Sequence, residues 1–250
     1  MLADPLAPLL ELADVQDALG DAREAVDAAM RHRALRRQGG AVAAEISLRS
    51  AVASAALAGY AHEREQVRAG VVTEPVVQGC LRVAAALPSL VDTWPKAPRQ
   101  VLARLDVLAS RGSVPAAELG HPVSGPDVGP RLDALASLVA GGTSAPPLVL
   151  AAVVHGELLA LQPFVGAPGV VARAAARLTL MSSGFDPRGL IAPEVGHLAR
   201  QPEYVGAAGA FATGTPDGVR SWLRHCALAV SLGAAELTSV AEQTWTAPQA

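Results

Sequence analysis

The feature that most constrains this chain is the length of its Ala- and Leu-rich segments between Gly and Pro residues. They are too extended for strands, and no two of them are patterned as a strand pair. Aromatic residues make up 3% of the chain while apolar residues make up 51%, so the apolar content comes mainly from good helix formers. The expectation is an all-α fold. Capping residues, Gly and Pro place helices over 6–19, 21–37, 42–59, 74–87, 99–110, 130–140, 147–161, 169–182, 193–200, 201–211 and 216–236.

One stretch interrupts this pattern. Residues 111–129 carry Gly112, Pro115, Gly120, Pro122, Gly125, Pro126 and Gly129, and form the expected loop between an N-terminal helical region, 1–110, and a C-terminal one, 130–240. No internal repeat or low-complexity tract is evident.

The charge pattern narrows the partners. Twenty-three acidic and 20 basic residues give a net charge of −3, with no polybasic run to follow a phosphate backbone or an anionic leaflet. Nucleic acid and membrane surfaces are therefore not expected partners. Cys80 and Cys226 lack CxxC or Cys/His spacing, which suggests buried, reduced thiols rather than a disulfide or zinc site. Asp4 and Glu11 stand where a signal peptide would be basic and then apolar, and the apolar stretch 148–161 is broken by His155 and Glu157. A span needs about 20 apolar residues. A cytoplasmic protein is the expectation.

The most informative segment is 147–177, where an apolar helix enters a short Gly/Pro loop that opens a second helix. Such a loop gathers backbone N–H groups and the positive end of a helix dipole, which suits an anion; the plainer alternative, a simple helix–turn–helix connection, is the one the loop by itself favours. Gly166, Gly169 and the later Gly184-Phe185-Asp186 imitate a dinucleotide-binding turn with a distal acid. There is no GxGxxG, and no room for the second strand that would carry a ribose-binding acid. An oxidoreductase is disfavoured on those grounds.

The loop reads Gln162-Pro163-Phe164-Val165-Gly166-Ala167-Pro168-Gly169-Val170-Val171-Ala172-Arg173. In this frame it resembles the Fic (Fido) signature: His-Pro-Phe, a variable residue, an acid, Gly-Asn-Gly-Arg, two variable residues and Arg. Pro163, Phe164, Gly169 and Arg173 match. The flanks are similar too: His155 and Glu157 in the preceding helix, the Gly184-Phe185-Asp186-Pro187 turn, and the aromatics Tyr204 and Trp222. Upstream, Ser54-Ala55-Ala56-Leu57-Ala58-Gly59 keeps the frame of the family's inhibitory helix, Ser/Thr-x-x-x-Glu-Gly/Asn, with Ala58 in place of the glutamate. Taken alone, that hexapeptide is an ordinary helix end with a Gly cap.

The resemblance implies a Fic-fold helical bundle with an N-terminal helical extension, and its departures bear on the chemistry. In active Fic proteins the histidine takes a proton from the target hydroxyl as that oxygen attacks the α-phosphate of ATP. Gln162 has no basic nitrogen for that task. Gly166 replaces the acid that helps hold Mg²⁺. Pro168 replaces the asparagine and deletes a backbone N–H, although it suits a helix first turn. Val170 replaces the first arginine, leaving Arg173 as the only signature group able to pair with a phosphate or carboxylate.

The resulting expectation is a degenerate Fic domain without nucleotidyltransferase activity, acting as a binding or regulatory pseudoenzyme. No catalytic or metal-binding residue is assigned, and no cofactor is required. Gly169 and Arg173 are retained as a residual cradle for nucleotide or phosphate, so the partner is an unidentified protein or a small anionic ligand. The alternative is an active AMP- or phosphoryl-transferring protein with a rearranged site. His155 and Glu157, at i and i+2, cannot form a dyad with each other. His32, His62, His121, His197 and His225 lack metal spacing and receive no role.

Overall fold

The computed structural model describes residues 4–246. The described helices are α1 Val15–Met30, α2 Ala34–Arg37, α3 Gly39–Leu57, α4 Arg64–Arg68, α5 Pro75–Leu90, α6 Pro98–Ser110, α7 Val128–Ser137, α8 Pro147–Leu161, α9 Pro168–Ser182, α10 Pro193–Ala199, α11 Gln201–Ala212 and α12 Pro216–Thr246. The only strand-like pairing among the described residues is an isolated bridge between Arg111 and Val114. The fold is all-α.

The N-terminus departs from the expected helix over 6–19. A 3-10 turn, Ala7–Glu11, precedes α1, and Asp14 adopts φ 60° just before Val15, so the chain changes direction there. Gly20 was expected to separate two helices but lies inside α1, where burial of Ala22, Val26 and Ala29 offsets its low helix propensity. The short α4 was not expected, and α12 continues to Thr246, past the expected end near 236. Its last turns bury Leu237, Val240 and Ala241 beside Val42 and Ile46 of α3, so packing extends the helix.

Two helices organise the centre. α8 and α9 pack on each other, α8 also meeting α11 and α12 while α9 meets α3, α5 and α6. Both were expected from their apolar content. Gly156 lets α8 approach α11 and α12 closely: a Cβ there would lie 2.7 Å from Trp222 Nε1 and 2.7 Å from Phe211 Cε1. The Trp222 indole, fully buried, donates to the Ala152 carbonyl at 2.8 Å and fixes that crossing.

α3 has the length and apolarity of a membrane span by composition alone, but Val42, Ile46, Ser50 and Ser54 on it are buried within the protein. It lies against α5, α9, α10 and α12. One core cluster joins α3, α5 and α6 to α8 and α9, and a second joins α1 and α3 to α12, so helices from both sides of 111–129 share their interior. Cys80 and Cys226 are free and buried, as expected. Burial pushes the Cys80 thiol up to about 11, so it is protonated at neutral pH.

Candidate functional site: a self-filled loop at the start of α9

Gln162 ends α8 in the left-handed region, φ 45° and ψ 58°, one of two described non-glycine residues with positive φ. A side chain held there carries backbone strain, which is tolerated where surrounding packing fixes the turn. Pro163 and Phe164, both buried, supply that packing, and the Pro163 carbonyl accepts the Val123 N–H at 2.8 Å. The Gly/Pro-rich strap between α6 and α7 is thus tied to the loop. Pro168 opens α9 at its first turn, where its missing N–H costs nothing to the helix.

The position of the expected metal-holding acid is closed by steric contact. A Cβ on Gly166 would lie 2.2 Å from Ser110 Oγ and 2.4 Å from Ser110 Cβ. Ser110, fully buried at the end of α6, accepts the Ala167 N–H at 3.1 Å and donates to Asp106 Oδ1 at 2.8 Å. The other Asp106 oxygen accepts the Gly120 N–H at 2.8 Å. A loop amide that could face an anion is therefore satisfied from inside, by a hydroxyl backed by a buried carboxylate. Gly166 offers no side-chain oxygen to a magnesium ion, and each Asp106 oxygen already accepts a hydrogen bond from the protein.

Val170 is 3% exposed and packs into the core, so the first arginine of the signature is replaced by a core side chain. Arg173, also 3% exposed, folds back toward the start of α9, with Nη1 3.1 Å from the position a Gly169 Cβ would take. Its Nε donates to Ser54 Oγ at 3.0 Å, Nη2 to the Ser54 carbonyl at 2.8 Å, and Nη1 to the Tyr204 hydroxyl at 3.4 Å. Among the described residues no carboxylate pairs with it. A buried guanidinium balanced only by neutral acceptors is costly unless its hydrogen bonds are well made.

Those bonds place the upstream motif. α3 is docked on the signature helix through Ser54, while Ala58 and Gly59 follow its last turn and are exposed, with Gly59 at φ 93°. Arg177, one turn beyond Arg173, repeats the logic: Nη1 donates to Ser50 Oγ at 2.7 Å and Nη2 to the Gly189 carbonyl at 2.8 Å. Its Nε lies 4.0 Å from buried Glu194. Two arginines of α9 thus bind two serines of α3.

His155 and Glu157 do part company. Glu157 accepts from Arg131 at 2.6 Å, whereas buried His155 has Nε2 3.0 Å from the Tyr204 hydroxyl. The unexpected finding is what surrounds His155. His197 Nδ1 is 3.0 Å from His225 Nε2, and neighbouring rings among His155, His197, Tyr204, Trp222 and His225 lie with centroids 4.6 to 6.4 Å apart. Burial, with the Arg173 charge contributing, holds His155 and His197 well below the ordinary imidazole range, so both are neutral. Spacing could not reveal this cluster, because its members come from α8, α10, α11 and α12. Among the described residues no three His, Cys, Asp or Glu side chains are arranged to hold a metal.

The solved structures place the fold. A Fic family protein from Desulfovibrio desulfuricans G20 is similar with a TM-score of 0.76 and 20% identity, over 95% of this chain and 76% of that one. Fic-1 (residues 134–508) from C. elegans is similar with a TM-score of 0.73 and 19% identity, over 95% of this chain and 75% of that one. This chain has the Fic fold. No protein-family model matches the sequence, and no curated protein does.

Proposed function

We propose that this chain is a Fic-fold protein without nucleotidyltransferase activity, working as a binding or regulatory partner. The observation that carries this reading is Ser110 filling the place of the metal-holding acid and capping the Ala167 amide. The other departures point the same way. Gln162 offers no general base, Pro168 offers no N–H, Val170 is buried, and Arg173 is already bound to Ser54 and Tyr204. On this reading the loop holds the protein together rather than holding a nucleotide. Magnesium, and any step through it, has no place in the account.

What remains for ligand binding is the α9 N-terminus beside Gly169, with Arg173 as the one guanidinium close by. The regulatory surface is then the outside of the loop, where Gln162 and Val165 are exposed. The test is a thermal shift series with ATP, other nucleotides and inorganic phosphate, beside mass analysis of the protein and a host lysate after incubation with Mg-ATP. The reading predicts no mass increase. Stabilisation by phosphate or nucleotide would select ligand binding, and its absence would leave a protein partner. ATP-dependent modification would favour the transferase reading instead.

A further inference from the structure

Arg177 on α9 and Glu194 on α10 are both more than nine-tenths buried, at 5% and 3% exposed, yet they do not bond to each other. The nearest approach of Arg177 Nε to the carboxylate is 4.0 Å, to Oε1, which is beyond hydrogen-bond reach. A polar contact of that length is the usual spacing across a bridging water.

The bonding of the two side chains leaves one donor and one acceptor over. Arg177 Nη1 and Nη2 donate to Ser50 Oγ at 2.7 Å and to the Gly189 carbonyl at 2.8 Å, which leaves the Nε–H. Among the described residues, Arg177 Nε and Glu194 Oε2 are buried and have no hydrogen-bond partner. Native proteins satisfy nearly all such groups, either with protein atoms or with ordered water.

Both residues line one cavity of about 10 Å³ between α3, α5, α9 and α10, together with Ser50, Ser54 and Cys80. One water needs at least about 10 Å³, so the space admits a water and nothing as large as a phosphate. Charge narrows the occupant in the same direction. The carboxylate disfavours an anion and the guanidinium disfavours a cation, so the occupant is neutral and must both accept from Nε–H and donate to Oε2. Two hydrogen bonds of about 2.9 Å each, bent at a water oxygen, span the 4.0 Å gap. Ser50 adds a third partner: its oxygen accepts from Nη1, and its hydroxyl proton is left to donate.

We propose that this cavity is a binding site for a single internal water, which accepts from Arg177 Nε–H, donates to Glu194 Oε2, and completes the joint between α3, α9 and α10. All three nitrogens of Arg177 are then bonded, to α3 through Ser50, to the 189 carbonyl, and to α10 through the water. Arg177 is a positioning residue in this joint, held in place for the serines of α3 to dock. The site does not depend on whether the signature loop transfers a nucleotide.

The test is a crystal structure of the parent protein, of E194Q and of E194M, at a resolution that shows ordered water. The parent should hold one solvent peak within about 2.7–3.2 Å of both Arg177 Nε and a Glu194 oxygen. E194Q keeps an acceptor at that place and should retain the peak, whereas E194M has similar length, no such acceptor, and should lose it. Deuterium relaxation dispersion of the solvent counts slowly exchanging internal waters in solution, and should read one fewer in E194M than in E194Q. If E194M does not fold, the parent and E194Q structures decide the matter by themselves. The proposal is overturned by a parent structure with no such peak, by direct contact of Nε with the carboxylate, or by an anomalous scatterer such as chloride at the site. A water that stays on Arg177 in E194M, or equal solution counts in the two variants, would overturn the bridge to Glu194.

Discussion

Gly166→Ala adds one methyl group, and the structure assigns it a specific collision. The new carbon would sit 2.2 Å from Ser110 Oγ, 2.4 Å from Ser110 Cβ and 3.2 Å from Val114 Cγ1. Gly166 does not have a positive φ, so the substitution costs no backbone strain and the contact alone decides the outcome. Relief requires Ser110 to move, yet its hydroxyl bonds Asp106 and Ala167 in a fully buried setting. Overpacking costs about 1–3 kcal/mol, and losing either hydrogen bond adds about 1 kcal/mol. Gly166→Ala should therefore destabilise the protein by about 2–4 kcal/mol in urea unfolding. Ser110→Gly removes the obstructing atoms, so the same Gly166→Ala change made in that background should cost less than about 0.5 kcal/mol, a coupling near 2 kcal/mol. A Gly166→Ala protein as stable as the parent, or an equal cost in both backgrounds, would refute the claim that Ser110 occupies the acid's place.

Ser54→Ala should cost about 2 kcal/mol in the same assay, because it leaves the buried Arg173 Nε unpaired, whereas Ala58→Glu at an exposed position should cost little. Trp222→Phe should lose about 1 kcal/mol through the missing indole-to-Ala152 hydrogen bond while keeping most of the packing, the Ala152 carbonyl retaining its place in the α8 ladder. Stability should fall on acidification. His155, His197 and His225 have lowered folded pKa values, so the unfolded chain takes up more protons below the ordinary 6.5 and their contribution, present above 6.5, is lost as pH falls. Asp186 works oppositely: burial raises it to about 6, so its contribution is present below 3.8 and lost as pH rises through about 6. A melting temperature that climbs from pH 7 to pH 5 would refute the dominance of the histidines. Finally, restoring Gln162→His, Gly166→Glu, Ala167→Gly, Pro168→Asn and Val170→Arg should return no ATP-dependent self-modification unless Ser110→Gly is added, as intact mass would show.

The helices were legible because Ala and Leu content and Gly/Pro punctuation act locally, and the signature loop was legible because Pro163, Phe164, Gly169 and Arg173 fall at fixed offsets. The departures at Gln162, Gly166, Pro168 and Val170 were visible for the same reason. Their replacement was not. Ser110 and Asp106 lie more than fifty residues before Gly166 and sit at the end of an unremarkable helix, so only the folded chain shows that a hydroxyl fills the acid's space. Likewise the inhibitory-type frame drew attention to Ala58, while the contact with Arg173 is made by Ser54, one turn earlier. The histidine cluster depends on four helices meeting, and the break at Asp14 on a left-handed residue that ordinary spacing does not mark.

The most direct test of the central claim is intact-mass and peptide analysis of the purified, unaltered protein after prolonged incubation with Mg-ATP, alone and with host lysate. The account predicts no added nucleotidyl group on the protein or on any lysate protein beyond a control lacking it, because no base, metal-holding acid or free signature arginine is in place. An AMP or phosphoryl adduct that disappears with Arg173→Ala, in a variant shown by circular dichroism to remain folded, would contradict it.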